Sequence, residues 1–227
     1  MAPKISVAYV PLTHHPAKRI TQLLAGLLLY GISTAMTIRA SLGLNPWSVL
    51  NEGVERHVPL SFGMVSALIG ALVLLLWIPL RQLPRLGTVA NILVLAVAFD
   101  VGLWLIPADG GWAWRVVLLV AGIVLNGLSI AVYVGARLGP GPRDGLMTGA
   151  AARSGRSIRL TRTVIELTVL VVGWVLGGTV GVGTVAYALG IGPVTQLFMA
   201  RFTYRPAGES REDRTARNGG EAAGVGR

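Results

Sequence analysis

Arg143 and Asp144 stand side by side in Leu138–Leu146, LGPGPRDGL, within an otherwise very apolar chain. Gly139 and Gly141 before Pro142 let the chain turn and a new helix start, with Asp144 in its first turn. Free N–H groups and partial positive charge at a helix start, beside the Arg143 guanidinium, suit a carboxylate or phosphate. The residues leave two readings open. The pair binds an anion, or Asp144 caps the helix and pairs with Arg143. Glu166 lies well inside a later apolar run, where an ionised group is costly and faces protein or water. Arg162, four residues earlier, shares its helix face. That pair is a proton or cation site, or a structural ion pair near the interface. Asp100, Asn91 and Asn126 are the other polar groups within apolar runs; each lines a path or makes a helix–helix hydrogen bond. Asn45 belongs to Leu42–Leu50, LGLNPWSVL, a stretch that echoes the Arg143 loop. It reads as a helix N-cap with Pro46 at the first helical position, and its loop is the second place where a solute would be held.

Other chemistry is excluded or unsupported. The absence of cysteine removes disulfides, thiol nucleophiles and thiolate metal sites. His14 and His15 are adjacent, but no third ligand is in view, so no metal and no cofactor are expected. There is no nucleophile triad, no zinc-binding helix, and GPGPRDG lacks the Lys-Ser/Thr of a phosphate loop. The chain is therefore read as a non-enzyme. A membrane transferase acting on lipid is the enzymatic alternative.

These residues need a scaffold, and the composition says which. The chain is 53% hydrophobic and 13% charged, against about 25% charged in soluble domains. The apolar residues come in runs of membrane-spanning length. The expected fold is an all-α polytopic transmembrane bundle. Its six spans lie near 20–38, 61–80, 88–106, 114–136, 161–180 and 184–201, with a short re-entrant or amphipathic helix after Asn45. A five-span alternative treats the final glycine-rich pair as one broken helix. Residues 1–19 form an N-terminal segment, 20–202 the membrane domain and 203–227 a disordered tail.

Setting residue i beside residue i+96 aligns Gly, Pro and Ser in one register over three segments. Gly26, Gly31 and Ser33 meet Gly122, Gly127 and Ser129; Gly43 and Pro46 meet Gly139 and Pro142; Gly87-Thr88-Val89-Ala90 meets Gly183-Thr184-Val185-Ala186. The expected organisation is two repeats, 20–106 and 114–202. With three spans each, the second repeat enters the membrane from the opposite side. The charges agree. With the N-terminus inside, Arg39, Arg56 and Arg115 are the cations left outside, and the other 17 of the 20 Lys and Arg residues lie inside. That pattern also explains the net charge of +10 without nucleic acid. It places the protein in a bacterial inner membrane with both termini cytoplasmic.

LGPGPRDGLM, followed by SIRLTRTVIELTVLVVGWVLGGTVGVGTV, resembles the YczE-like integral membrane proteins of the YitT/YyaS group. LGLNPWSVL and LGTVANILV fit the same pattern. The resemblance covers about 20–202, is most specific in the second half, and implies a membrane protein. The family has no assigned biochemical activity and so supplies no catalytic residues. Inverted repeats with interrupted segments in matching places are characteristic of secondary transporters. The expected function is a carrier of a small solute, an anion being one candidate, held between the halves near the two Gly-Pro loops. The alternative is a membrane scaffold or regulator that uses the basic face Arg153–Arg162 and the tail. Expected partners are the lipid bilayer, a small solute and a second copy of the chain.

Overall fold

The computed structural model describes residues 8–13 and 15–204. Among these the chain is all-helical, with eight helices: α1 Pro16–Ala40, α2 Pro46–Glu55, α3 Phe62–Trp77, α4 Leu86–Leu105, α5 Trp112–Gly135, α6 Pro142–Ser154, α7 Ile158–Val175 and α8 Val182–Phe202. α1, α4, α5 and α8 are long and apolar enough to cross a membrane. α3 is shorter, with 16 residues, and α7 carries Arg159, Arg162 and Glu166.

Several boundaries differ from the sequence expectation. α1 starts at Pro16 and so takes in part of the expected N-terminal segment. Arg19, expected to flank the membrane, is fully buried. Its guanidinium donates to the carbonyls of Ala136, Pro11, Val10 and Arg137. α3 stops at Trp77, where the chain turns through left-handed Arg81 and Gln82 N–H bonds back to the Trp77 carbonyl. α7 stops at Val175, just before left-handed Gly177, and Gly178 N–H bonds to the Gly173 carbonyl. The expected tail lies outside the described residues except for Thr203 and Tyr204, and His14 of the histidine pair lies outside them too.

The helix starts fall into four pairs, each 96 positions apart: Pro16 and Trp112, Pro46 and Pro142, Phe62 and Ile158, Leu86 and Val182. Their start signals are also paired. Ser61 accepts from Met64 N–H and Ser157 from Leu160 N–H, each filling one of the open donors of a first turn. Thr88 accepts from Arg85 N–H, and Thr184 from Gly181 N–H. Gly43 and Gly139 turn with φ of +116° and +118°, a conformation that favours glycine.

The contacts between the halves are reciprocal. Gly183 N–H donates to the Leu42 carbonyl at 2.7 Å, and Gly87 N–H to the Leu138 carbonyl at 2.9 Å. α1 and α5 pack along each other at the centre. There Gly26 lies against Tyr133 and Gly122 against Ser33 and Thr37. The short helices cross over, so that α2 packs on α7 and α6 on α3. In the first crossing Gly173 admits Val49 and Leu50; in the second Trp77 fills the space left by Gly145.

One pair of equivalent contacts is not alike. α3 packs along α4, with the Phe62 and Phe99 rings edge to face at 5.4 Å. α7 does not pack along α8 in the same way. Phe62 is 1% exposed, whereas its counterpart Ile158 is 57% exposed.

Candidate functional site

The polar residues converge between the halves. Tyr30 comes from the middle of α1, Asn126 and Tyr133 from α5, and Tyr187 from α8. Asn126 is fully buried. Its amide nitrogen donates to Ser33 Oγ at 2.9 Å and Thr34 Oγ1 at 3.1 Å, and its oxygen accepts from the Tyr187 hydroxyl at 2.7 Å. One side chain thus ties α1, α5 and α8 together with all its near contacts satisfied, as a buried amide requires. Tyr30 and Tyr133 meet edge to face at 6.0 Å.

The charged residues arrive from α6 and α7. Tyr30 lies within electrostatic reach of Arg143, Asp144 and Arg162, and Tyr187 within reach of Arg143 and Glu166. Arg162 Nε donates to Glu166 Oε1 at 2.9 Å, one turn along α7. Arg143 makes no ion pair among the described residues. Its guanidinium carbon stands 4.9 Å from the centre of the Trp47 ring, a cation–π geometry. The Tyr133 hydroxyl stands 3.5 Å from the Asp144 carboxylate, too long for a strong bond, and the Gly141 N–H also bonds to that carboxylate.

Asp144 is exposed, with Arg143, Arg162 and the Tyr133 hydroxyl within electrostatic reach of its carboxyl. α6 does not itself span the membrane. Enclosure pushes the Asp144 carboxyl above the usual carboxylate range, and Arg162 and Arg143 pull it back.

Arg143, Asp144, Arg162 and Glu166 thus lie within electrostatic reach of Tyr30 or Tyr187, and Asn126 bonds Tyr187 directly. The structure places the other two candidates elsewhere. Asn45 caps α2: its oxygen accepts from Ser48 N–H at 3.0 Å and its amide donates to Ser48 Oγ at 2.8 Å. Asp100 joins α4 to the start of α3, accepting from Ser61 Oγ at 2.5 Å and from Gly63 N–H at 2.8 Å.

Sequence reasoning missed the three tyrosines and Glu52. Tyr30 was within reach of the register, because it stands 96 positions before Asn126. Glu52 accepts from Thr179 N–H at 2.6 Å and so pins the link between α7 and α8 to α2. Nothing local in the sequence announces that bond. Trp47 Nε1 and both polar atoms of Asn51, one turn later on α2, are buried without a hydrogen-bond partner. No cluster of metal-ligating side chains occurs among the described residues.

One of three related proteins is named as a membrane protein. The chain is 36% identical to an uncharacterized protein of Haemophilus influenzae over 197 residues, covering 87% of this chain and 90% of that one. It is 32% identical to the uncharacterized membrane protein YczE of Bacillus subtilis over 173 residues, or 75% of this chain and 80% of the relative. It is 25% identical to the uncharacterized protein YyaS of Bacillus subtilis over 178 residues, or 77% and 89%. No solved structure matches it. With its membrane-length apolar helices this is a membrane protein, and the match of a family model over residues 17–200 makes it a member of the family of unknown function DUF6198.

Proposed function

We infer that the protein is a secondary carrier of a small solute. Its halves are inverted three-span repeats, the solute sits in the cleft beside Arg143 and Asp144, and both termini lie in the cytoplasm. The observation that carries this reading is the difference between two equivalent helix pairs, α3 with α4 packed and α7 with α8 apart. In carriers built of inverted repeats, alternating access comes from exchanging such states between the halves around a central site. The residues supply a latch for each state. Asp100 now holds α4 to the α3 start through Ser61 and Gly63. Its counterpart on α8 is Gln196, and the matching positions on α7 are Ser157 and Arg159. The cleft holds two cations and two carboxylates, none of which belongs to a nucleophile–base pair, so we read it as a binding site and not a catalytic one.

The test uses a chain without native cysteine. The double variant Ile158→Cys/Thr195→Cys places thiols at the positions equivalent to Phe62 and Phe99. A carrier closes the α7–α8 seam, so a short bifunctional thiol reagent links the pair in native membranes. A pair that never links contradicts the reading.

Arg153, Arg156 and Arg159 are exposed together around the α6–α7 turn, with no acidic partner among the described residues. That patch favours a second reading, a scaffold for an acidic cytoplasmic partner. A soluble protein that co-purifies stoichiometrically, and is lost when these three arginines become alanine, would favour it over the carrier.

A further inference from the structure

A second cavity lies away from the cleft, where α1 begins and α8 ends. Its volume is about 370 Å³, and its walls are His15, Lys18, Gln22, Arg201, Phe202 and Tyr204. The charge there is of one sign. Lys18 and Arg201 are exposed and form no ion pair among the described residues. Arg19 lies directly behind, stacked on the Tyr204 ring at 4.7 Å. Arg19 is fully buried, and its bonds are all to backbone carbonyls. Among the described residues, the charges that act on it come from Tyr204, Tyr9 and Arg137. A buried guanidinium held by carbonyls keeps its net positive charge, although their oxygens weaken its field.

The start of α1 adds to that field. His15 is left-handed at the N-cap, offers no side-chain cap, and is followed by Pro16. The N–H groups of Ala17 and Lys18 belong to the first turn, at the positive end of the helix dipole. Gln22 is not free to bind, because its amide donates to the Val132 and Phe202 carbonyls and so ties α1 to α5 and α8. It fixes the wall, and the cations supply the attraction. A tetrahedral phosphate group fits this set better than a carboxylate does. It offers three or more acceptor oxygens to the Lys18 ammonium and the Arg201 fork, and the cavity is large for a carboxylate alone.

We propose that the cavity formed by His15, Lys18, Arg201 and Tyr204 over buried Arg19 binds a phosphate group, the headgroup of an anionic lipid being its source. The place fits such a source, since both helices have spanning length and meet the headgroup layer at these ends. A soluble phosphate compound would use the same donors.

The full chain, purified in a neutral detergent, is tested for retained lipid by native mass spectrometry and for a shift in thermal unfolding. Phosphatidylglycerol, phosphatidylcholine and inorganic phosphate serve as the three probes. Wild type should retain phosphatidylglycerol and be stabilised by it, while phosphatidylcholine has little effect. The exposed double variant Lys18→Ala/Arg201→Ala should bind phosphatidylglycerol about thirtyfold more weakly. The control Arg153→Ala/Arg156→Ala removes equal charge elsewhere and should bind as wild type does. If inorganic phosphate alone reproduces the shift and the Lys18/Arg201 variant loses it, the site stands and its source is soluble. An equal phosphatidylglycerol response in both double variants, or none in wild type, overturns the proposal.

Discussion

Arg143 lies over the indole of Trp47, 4.9 Å from the ring centre, and the two residues occupy the same place in the two halves, 96 positions apart. Equivalent positions can touch only where the two halves meet each other at their shared centre. At that point one half presents an aromatic face and the other a cation, so the two halves contribute unlike groups to their shared centre. The adjoining positions differ in the same way, Ser48 facing Asp144 in the register.

A double-mutant cycle measures this pairing. A partly desolvated cation–π contact is worth about 0.5–2 kcal/mol. Arg143→Ala and Trp47→Leu should each lower the thermal midpoint, and the double variant should lower it by less than the sum of the two. At about 2–4 °C per kcal/mol for a chain of this size, the shortfall is readable by thermal unfolding in detergent. Strict additivity would show that the stacking carries no energy.

Asp144 gives the pH dependence. Its carboxyl is raised in the folded protein by enclosure, against the pull of Arg162 and Arg143. The folded state therefore holds the proton more tightly than the unfolded chain does. Stability from this group is fully present below the ordinary carboxylate range and falls as pH rises through the raised value. Asp144→Asn removes the penalty, so the variant should melt higher than wild type at neutral pH and equal to it near pH 3–4. A variant that melts lower at neutral pH would show the carboxylate to be held in its charged form.

Gly43 and Gly139 should respond alike to the same change. Both have φ near +117°, at +116° and +118°. A side-chain carbon on Gly43 would meet Gly181 N at 2.6 Å, and on Gly139 it would meet Arg85 Cβ at 2.7 Å. Alanine at either position should cost on the order of 1–3 kcal/mol in backbone strain alone. Neither clash is relieved by a rotamer change, because one is with a backbone nitrogen and the other with a Cβ fixed to its backbone, so the two costs should be similar. Thermal midpoints of the two single variants check that equality, and a clear difference between them would contradict it.

Much of the scaffold was legible because its signals are local or periodic. The 96-residue register rests on glycines, prolines and hydroxyls that each have a backbone task, and every helix start obeys it. Asn45 was read as a cap and is one. The lengths of α3 and α7 were overestimated because apolar residues continue past Trp77 and Val175, while the stops are set by Arg81, Gly177 and hydrogen bonds. The cleft was half legible. Arg143, Asp144, Arg162 and Glu166 stand out by charge within apolar sequence. Tyr30, Tyr133 and Tyr187 do not, because an aromatic residue in a spanning helix fits lipid, core and cleft equally well. Asp100 and Glu52 stood out or could have, yet their partners Ser61, Gly63 and Thr179 lie in other elements, and no spacing rule connects them.

The most direct test of the account asks whether the two halves face opposite sides of the membrane. His57 and Arg153 are exposed, equivalent in register, and in a chain with no cysteine of its own. Single variants His57→Cys and Arg153→Cys are expressed in cells and treated with a membrane-impermeant thiol reagent, before and after the membranes are opened. The account predicts labelling of position 57 in intact cells and of position 153 only in opened membranes. Labelling of both positions from the same side would contradict the inverted arrangement and, with it, the carrier built on that arrangement.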